Sequence, residues 1–385
     1  MKQFCQACGR VAQPAALLYG LALTLLVGCK TPPLYQARTD FYAGQPESAE
    51  QLLLEIPAEN KDEVLFLMER GMIRHVLREY DASSDDWRRA ADRGDCLETY
   101  SLTHGATSLV SNDRALPFRG APFEMTLLYS FLAKNYIAQQ NWDYAAICAR
   151  NIIKRLEDLN GFPDIAYSRY IAGLCLALIN DTGNAAIQFR AANELLEDFQ
   201  LDPETGRILA STNTPPAAYK GQELVVFIGM GRMPPGYDSY EDDDEAPPVA
   251  EIFAGNRRLG EARIFNNTAS LLTDTKARMA ALQLAKDAAR IAAKEMIASS
   301  VETNNEALGD LIRIILFAME MPDERRWETL PRWLAIARVP CPSDIQSYTV
   351  VFNNGAASKT ISQPLIRRGN ILISFCRDLH FSESE

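Results

Sequence analysis

The sequence predicts two halves of different construction: an all-α array of stacked helical hairpins, then a mixed α/β domain ending in a small antiparallel β unit. Three observations predict it. From about Leu34 to Phe199, apolar residues recur at spacings of three and four with few β-branched runs. Pro203, Pro215 and Pro216 then punctuate a polar stretch between Leu201 and Lys220. Beyond it come short β-rich runs set off by Gly, Pro and Asn. With 385 residues and 47% apolar composition, the chain has material for two domains at ~100–200 residues each.

Ahead of the helices, Lys2 and Arg10 precede an apolar zone from Ala15 to Val27 that runs into Gly28 and Cys29. The zone is shorter than the ~20 residues that span a bilayer. Leu26-Val27-Gly28-Cys29 resembles a lipobox, where a small residue must fit the peptidase and a free thiol must accept a diacylglyceryl group. Residues 1–28 are therefore expected to be a signal peptide, with Cys29 lipidated and residues 29–33 as a tether. In lipoproteins that resemble Gram-negative ones, Lys30 in place of Asp implies the outer membrane, here facing the periplasm. Cys5 and Cys8 would leave with the signal peptide, so their CxxC spacing carries no metal reading.

Residues 34–205 are read as the helical domain. Tyr129, Leu132, Ala133, Tyr136 and Ala145 have tetratricopeptide-like spacing: large and aromatic residues on one helix, then a small residue where the next helix crosses it. Gly173, Ala185, Phe189 and Ala192 match again, as do Gly71, Ser83, Trp87 and Ala90, with Gly44, Ala49 and Leu53 a degenerate fourth. Turns such as Asp181-Thr182-Gly183 separate the helices. Hairpins of this kind stack into a solenoid whose concave face can hold a segment of another protein.

Residues 206–222 are read as a linker and 223–385 as the α/β domain. Glu223 to Ile228 reads as a buried strand, followed by a loop at Gly229, Gly231, Pro234 and Pro235. Glu241 to Glu245 reads as a solvated acidic loop. Helices are expected at Thr273 to Ser299 and near Asn305 to Met319. Strands are expected at Tyr348 to Phe352, around Thr360-Ile361 and at Ile371 to Cys376.

These features, with Asp323-Glu324-Arg325-Arg326-Trp327-Glu328-Thr329-Leu330-Pro331 and Ala337-Arg338-Val339-Pro340, resemble an uncharacterised family of bacterial lipoproteins. The resemblance implies an architecture and no activity. The strand-rich tail is also similar to small β-sandwich modules of envelope proteins.

Signals for chemistry are sparse. A net charge of −11 opposes binding to nucleic acid. The three histidines, His75, His104 and His380, belong to no HExxH, zinc spacing or nucleophile triad, and His75 reads as a surface residue. Gly229-Met230-Gly231 follows a strand, yet Pro234-Pro235 stands where a phosphate-binding loop needs a helix, so a structural turn is expected. Cys341 and Cys376 are read either as a disulfide or as two buried thiols. Trp327 and Trp333, flanking Leu330-Pro331, are expected to pin a proline-bearing turn to a core. No cofactor, metal or catalytic residue is assigned.

The function expected is that of an envelope scaffold or adaptor binding other envelope proteins through its repeats. Arg74, Lys134, Asn135, Arg169 and Tyr170, polar or amphipathic on the first helices of the hairpins, are the expected partner contacts on the concave face. The alternative is a hydrolase or sugar-binding protein whose C-terminal domain carries convergent carboxylates or a Cys-His pair near Trp327 and Trp333.

Overall fold

A computed structural model describes residues 33–55, 61–103, 116–157, 159, 161–209, 221–233, 247–280, 324–353, 357–362 and 365–379. The expected signal peptide with Cys29, His104, the acidic run, residues 281–299 of the helix expected at Thr273 to Ser299, the helix expected near Asn305 to Met319, and His380 lie outside the described residues.

Helices α1 (Pro33–Tyr42) and α2 (Pro46–Leu54), α3 (Glu63–Leu77) and α4 (Tyr80–Thr103), α5 (Pro122–Ala138) and α6 (Trp142–Glu157), and α7 (Ala166–Leu178) and α8 (Thr182–Glu194) form four successive hairpins. Their turns are the same turn. Gly44, Arg78, Gln140 and Asn180 each take positive φ. The next residue's N–H then reaches back to a carbonyl of the first helix: Gln45 to Asp40 and Glu79 to Arg74 at 2.9 Å, Asn141 to Tyr136 at 2.8 Å, Asp181 to Leu176 at 2.9 Å. This is the helix-ending geometry that satisfies the last orphan carbonyls. It places the final turn at Ile179 to Asp181, because Thr182 and Gly183 already belong to α8.

The crossing of each hairpin repeats as well. Ala37 and Ala49, Gly71 and Ser83, Ala133 and Ala145, and Gly173 and Ala185 hold corresponding places on the two packed helices of each hairpin, all at the same separation in sequence and all buried. Four residues further on, Leu53, Trp87, Ala149 and Phe189 complete the contact and are fully buried. The chain thus contains helical repeats with tetratricopeptide-like spacing. Glycine at two crossings is a steric requirement. A Cβ on Gly71 would lie 2.3 Å from Trp87 Nε1, whereas Gly183, in the first turn of α8, has nothing within 4 Å. Alanine gains up to ~1 kcal/mol of helix propensity at either site. At Gly71 overpacking costs about 1–3 kcal/mol and wins, so Gly71→Ala is expected to melt lower and Gly183→Ala higher than the parent in thermal unfolding.

Where the sequence suggested an irregular break, β1 (Gln200–Leu201) and β2 (Ile208–Leu209) pair as a short hairpin. Two sheets follow. β3 (Glu223–Met230), β6 (Arg263–Asn267), β7 (Trp333–Pro340), β10 (Ile366–Arg368) and β11 (Ile371–Arg377) form one, in the order β10-β11-β3-β7-β6, with β11 and β3 parallel. β4 (Ala250–Ala254), β5 (Arg257–Glu261), β8 (Tyr348–Phe352) and β9 (Ala357–Ile361) form the other, in the order β5-β4-β8-β9. Residues 268–280 are helical after β6. The half is mixed α/β as expected, but β4 to β7 are strands that the periodicity did not announce.

Alternation along the five-stranded sheet explains the layering. Leu224, Val226, Ile228, Ala335, Ala337 and Leu372 pack on Ile252, Val350 and Phe352 of the four-stranded sheet. Their neighbours Val225, Phe227, Leu334, Ile336 and Ile373 share one core with the helical hairpins. A strand covered on both faces has to be apolar throughout, which is why Leu224 to Ile228 reads as an unbroken run.

Register also answers the cysteine question. Cys376 stands opposite Ile228, and Cys341 bonds through its N–H to Gln222, six positions earlier on the line of β3. At ~3.3 Å per residue they lie about 20 Å apart, far beyond disulfide reach, and both are free thiols.

Candidate functional site

The inner face of the hairpins, formed by α1, α3, α5 and α7, is the surface that a tetratricopeptide-like array would offer to a partner. Here it holds the chain's own segment 326–331 and the five-stranded sheet. Glu69, in the middle of α3, is fully buried. Its Oε1 accepts from Arg38 Nη2 at 2.6 Å, Arg38 Nε at 2.9 Å and the N–H of Glu328 at 2.9 Å, while Oε2 accepts the N–H of Thr329 at 3.1 Å. Glu124, in the first turn of α5, accepts the N–H of Ala121 with Oε2 and that of Trp327 with Oε1, both at 2.7 Å. Three consecutive backbone donors, at the entry to a turn, therefore end on two helical carboxylates. The Tyr42 hydroxyl completes the grip by donating to Glu328 O at 2.7 Å.

Trp327 supplies the apolar part of this contact. It is fully buried, with Trp87 and Phe131 edge-on at centroid distances of 6.0 and 5.8 Å, and its Nε1–H donates to Thr329 Oγ1 at 2.9 Å. Thr268 Oγ1 donates to Pro331 O at 2.7 Å, tying the turn to the residues after β6. Pro331 approaches so closely that a Cβ on Gly229 would meet its Cγ at 2.7 Å. The glycines of Gly229-Met230-Gly231 thus serve packing and a positive-φ turn at Gly231. Burial pushes Glu124 up to about 7 against the pull of its two backbone donors, and it raises Glu328 despite Arg38.

The expected partner contacts are placed differently from the reading of the sequence. Asn135 and Tyr170 are fully buried, and Lys134 and Arg169 nearly so. Arg74 bonds Glu50 and Asp86 at 2.8 Å. Arg169 holds Asp164 at 2.9 Å, Gln188 at 3.0 Å and the Leu156 carbonyl at 2.8 Å. Lys134 Nζ sits 3.4 Å from the Phe131 ring centroid and donates to the Tyr167 hydroxyl at 3.2 Å. The physical reason differs along the array: Arg74 and Arg169 are turned into contacts with neighbouring helices, where Glu50, Asp86 and Gln188 receive them, while the sheet covers Lys134 and Tyr170 with Phe227.

His75 is likewise no surface residue. It is buried, and its Nδ1 lies 2.6 Å from Asn135 Oδ1. Asn135 Nδ2 donates to Ser83 Oγ at 2.9 Å, and Ser83 Oγ to Gly71 O at 2.6 Å. The relay joins the second and third hairpins and places the imidazole proton on Nδ1. Burial, the main cause, with Lys134 nearby, pulls His75 down to about 3 from its ordinary 6.5. Below pH 6.5 the unfolded chain takes up this proton and the folded chain does not, so stability is present above that pH and lost as pH falls towards 3. The loss is about 3 kcal/mol by pH 4.5. His75→Gln, which keeps a donor for Asn135, is expected to flatten the fall in urea midpoint between pH 7.5 and 4.5. An unchanged fall would assign the acid lability elsewhere.

His75 and Cys376 border the same cavity. Burial pushes this thiol up to about 11 while the imidazole falls, the reverse of a thiolate–imidazolium pair. The carboxylates converging near Trp327 are occupied by backbone N–H groups and Arg38. Among the described residues no group of His, Cys, Asp and Glu could hold a metal ion, and no helix is long and apolar enough to cross a membrane.

Neither a family model nor a curated protein matches the chain. One solved structure similar to it, the Rap conjugation gene regulator of the plasmid pLS20 in complex with the Phr* peptide, aligns over 42% of this chain at 16% identity and a TM-score of 0.29. The chain spans 41% of that protein's length. At this level the likeness carries no argument.

The grip on residues 327–329 was missed in the sequence, although one signal for it was present. Glu69 stands inside the otherwise apolar Val64 to Met72, apart from Arg70 and Gly71. An acid there must be paired if it is buried.

Proposed function

We propose that this chain is a lipid-anchored envelope protein that acts as a scaffold, held at the outer membrane through Cys29 on its periplasmic side and binding another envelope protein through the outer face of its helical hairpins. The observation that carries the reading is a set of exposed apolar side chains on the second helices. Tyr144 and Ile147 of α6 and Ile187 of α8 are 51%, 47% and 50% exposed. Ile147 and Ile187 hold the same place in successive hairpins, each two residues after the crossing alanine, Ala145 or Ala185. A large side chain left in water at a repeated position favours a contact surface. The lipobox-like Leu26 to Cys29 supports the anchor.

Affinity capture from membranes tests both parts. Cys29→Ser is expected to abolish metabolic labelling with palmitate, and unchanged labelling would end the anchor. Joint replacement of Tyr144, Ile147 and Ile187 by glutamine is expected to shift stability by only ~0.5 kcal/mol per site, as surface changes do, and to release the captured protein. Full retention of that protein would remove the outer face from the account.

A further inference from the structure

Among the described residues, four well-buried arginines have carboxylate partners. Arg38 meets Glu69 at 2.6 Å, Arg74 meets Glu50 at 2.8 Å, and Arg169 meets Asp164 and Arg338 meets Glu223 at 2.9 Å. Lys134 and Arg377 are as deeply buried, yet among the described residues neither has an ion pair with an acid. Both line a cavity of about 40 Å³ between the inner helical face and the sandwich. Arg78 and Lys359 line it as well, His75 is held neutral there by burial, and the lining contains no Asp or Glu. In a chain of net charge −11 this is a local inversion of sign.

Burial of an ammonium without an anion is costly, and aromatic faces offset only part of it. Lys134 has the Phe131 ring and one hydroxyl, and burial with Arg377 nearby holds it well below its ordinary range. Arg377 spends its Nη atoms on the carbonyls of Gly229, Asp378 and Gly231, while its Nε has no hydrogen-bond partner. Phe131, Phe227 and Phe375 supply apolar wall to the same space. The phenylalanine walls offer a tetrahedral dianion no donor and favour an anion with an apolar body. One planar anionic head with a short hydrocarbon body matches both the charge and the walls.

We propose that this cavity binds a short-chain carboxylate, its head on Lys134 and Arg78 and its body against the three phenylalanines. The volume admits a head group the size of two or three waters, and Arg78, half-buried at the end of α3, stands at its rim. The proposal is independent of the outer-face scaffold reading and survives or fails separately from it.

Calorimetric titration of the full chain in detergent with acetate, butyrate and inorganic phosphate tests it. Saturable binding is expected for both carboxylates, butyrate being the tighter and phosphate the weakest. Lys134→Met and Arg78→Gln are each expected to weaken butyrate by about tenfold or more. Arg78→Gln changes a rim residue that has no ion pair among the described residues, so its result stands even if Lys134→Met fails to fold. No saturable heat with either carboxylate, tighter binding of phosphate, or unchanged butyrate affinity in Arg78→Gln would each overturn the assignment.

Discussion

Glu69→Leu is expected to lower the stability of the whole protein by about 3–5 kcal/mol, the loss typical of removing one member of a buried ion pair. The substitution is close in volume, so packing is not the cause. It strands the Arg38 guanidinium, whose remaining acid is the partly exposed Glu328 at 2.9 Å, and it leaves the N–H groups of Glu328 and Thr329 without their acceptor. Glu69→Gln keeps one acceptor oxygen and is expected to lose less. Urea unfolding followed by circular dichroism gives the difference. A loss below about 1 kcal/mol for Glu69→Leu would mean that the carboxylate is dispensable and that segment 326–331 is held by other contacts.

Trp327→Ala is expected to cost a similar amount, about 3–5 kcal/mol, from lost burial and the cavity left behind. The site cannot readily collapse, because Trp87 is itself wedged against Gly71 and Phe131 belongs to the neighbouring hairpin. Trp327→Phe restores the ring edges facing Trp87 and Phe131 but forfeits the bond to Thr329 Oγ1, so it should fall between the two. Since this indole belongs to the core shared by helices and sheet, the helical and sheet signals are expected to shift together. If only the sheet signal moved in Trp327→Ala, Trp327 would belong to the sandwich alone.

The repeats were legible in the sequence for a physical reason. Small residues at helix crossings and large ones a turn later are demanded by local packing, so Gly71 with Ser83 and Trp87, or Gly173 with Ala185 and Phe189, can be read without knowing the rest of the chain. The strands at Glu223, Tyr348 and Ile371 were legible through their apolar runs. What covers the inner helical face was not, because it is decided by residues some 200 positions away in the chain. Yet one clue was misread. The sequence of α5, Phe123 to Ile137, carries only a thin polar line, Thr126, Ser130 and Lys134, and every residue in that span is buried. A helix lining an open concave face should show one exposed side. Lys134 and Asn135 were read as that side, when the surrounding residues already described a helix enclosed all round. The strands β5 and β6 escaped notice because they are half-exposed and carry Arg257, Arg258 and Arg263, which blur a two-residue alternation. Of Trp327 and Trp333, both expected to pin the turn, Trp327 does so, whereas Trp333 lies half-buried at the start of β7 against the core between the two sheets; the carboxylates that receive the Trp327 backbone are not foreseen, since Glu69 and Glu124 reveal their role only once the segment lies across them.

The central claim is that the inner face of the helical array is occupied within the same chain by residues 326–331. Amide hydrogen exchange on the full chain, resolved at Trp327, Glu328 and Thr329, tests it most directly. These three donors lie in a segment without strand pairing, and only Glu69 and Glu124 accept them. Their exchange is expected to be as slow as that of Val225 to Ile228 in the central strand, and to speed up selectively at Glu328 and Thr329 in Glu69→Gln. Exchange at the rate of an exposed loop in the parent protein would contradict the claim and leave the inner face open to a partner.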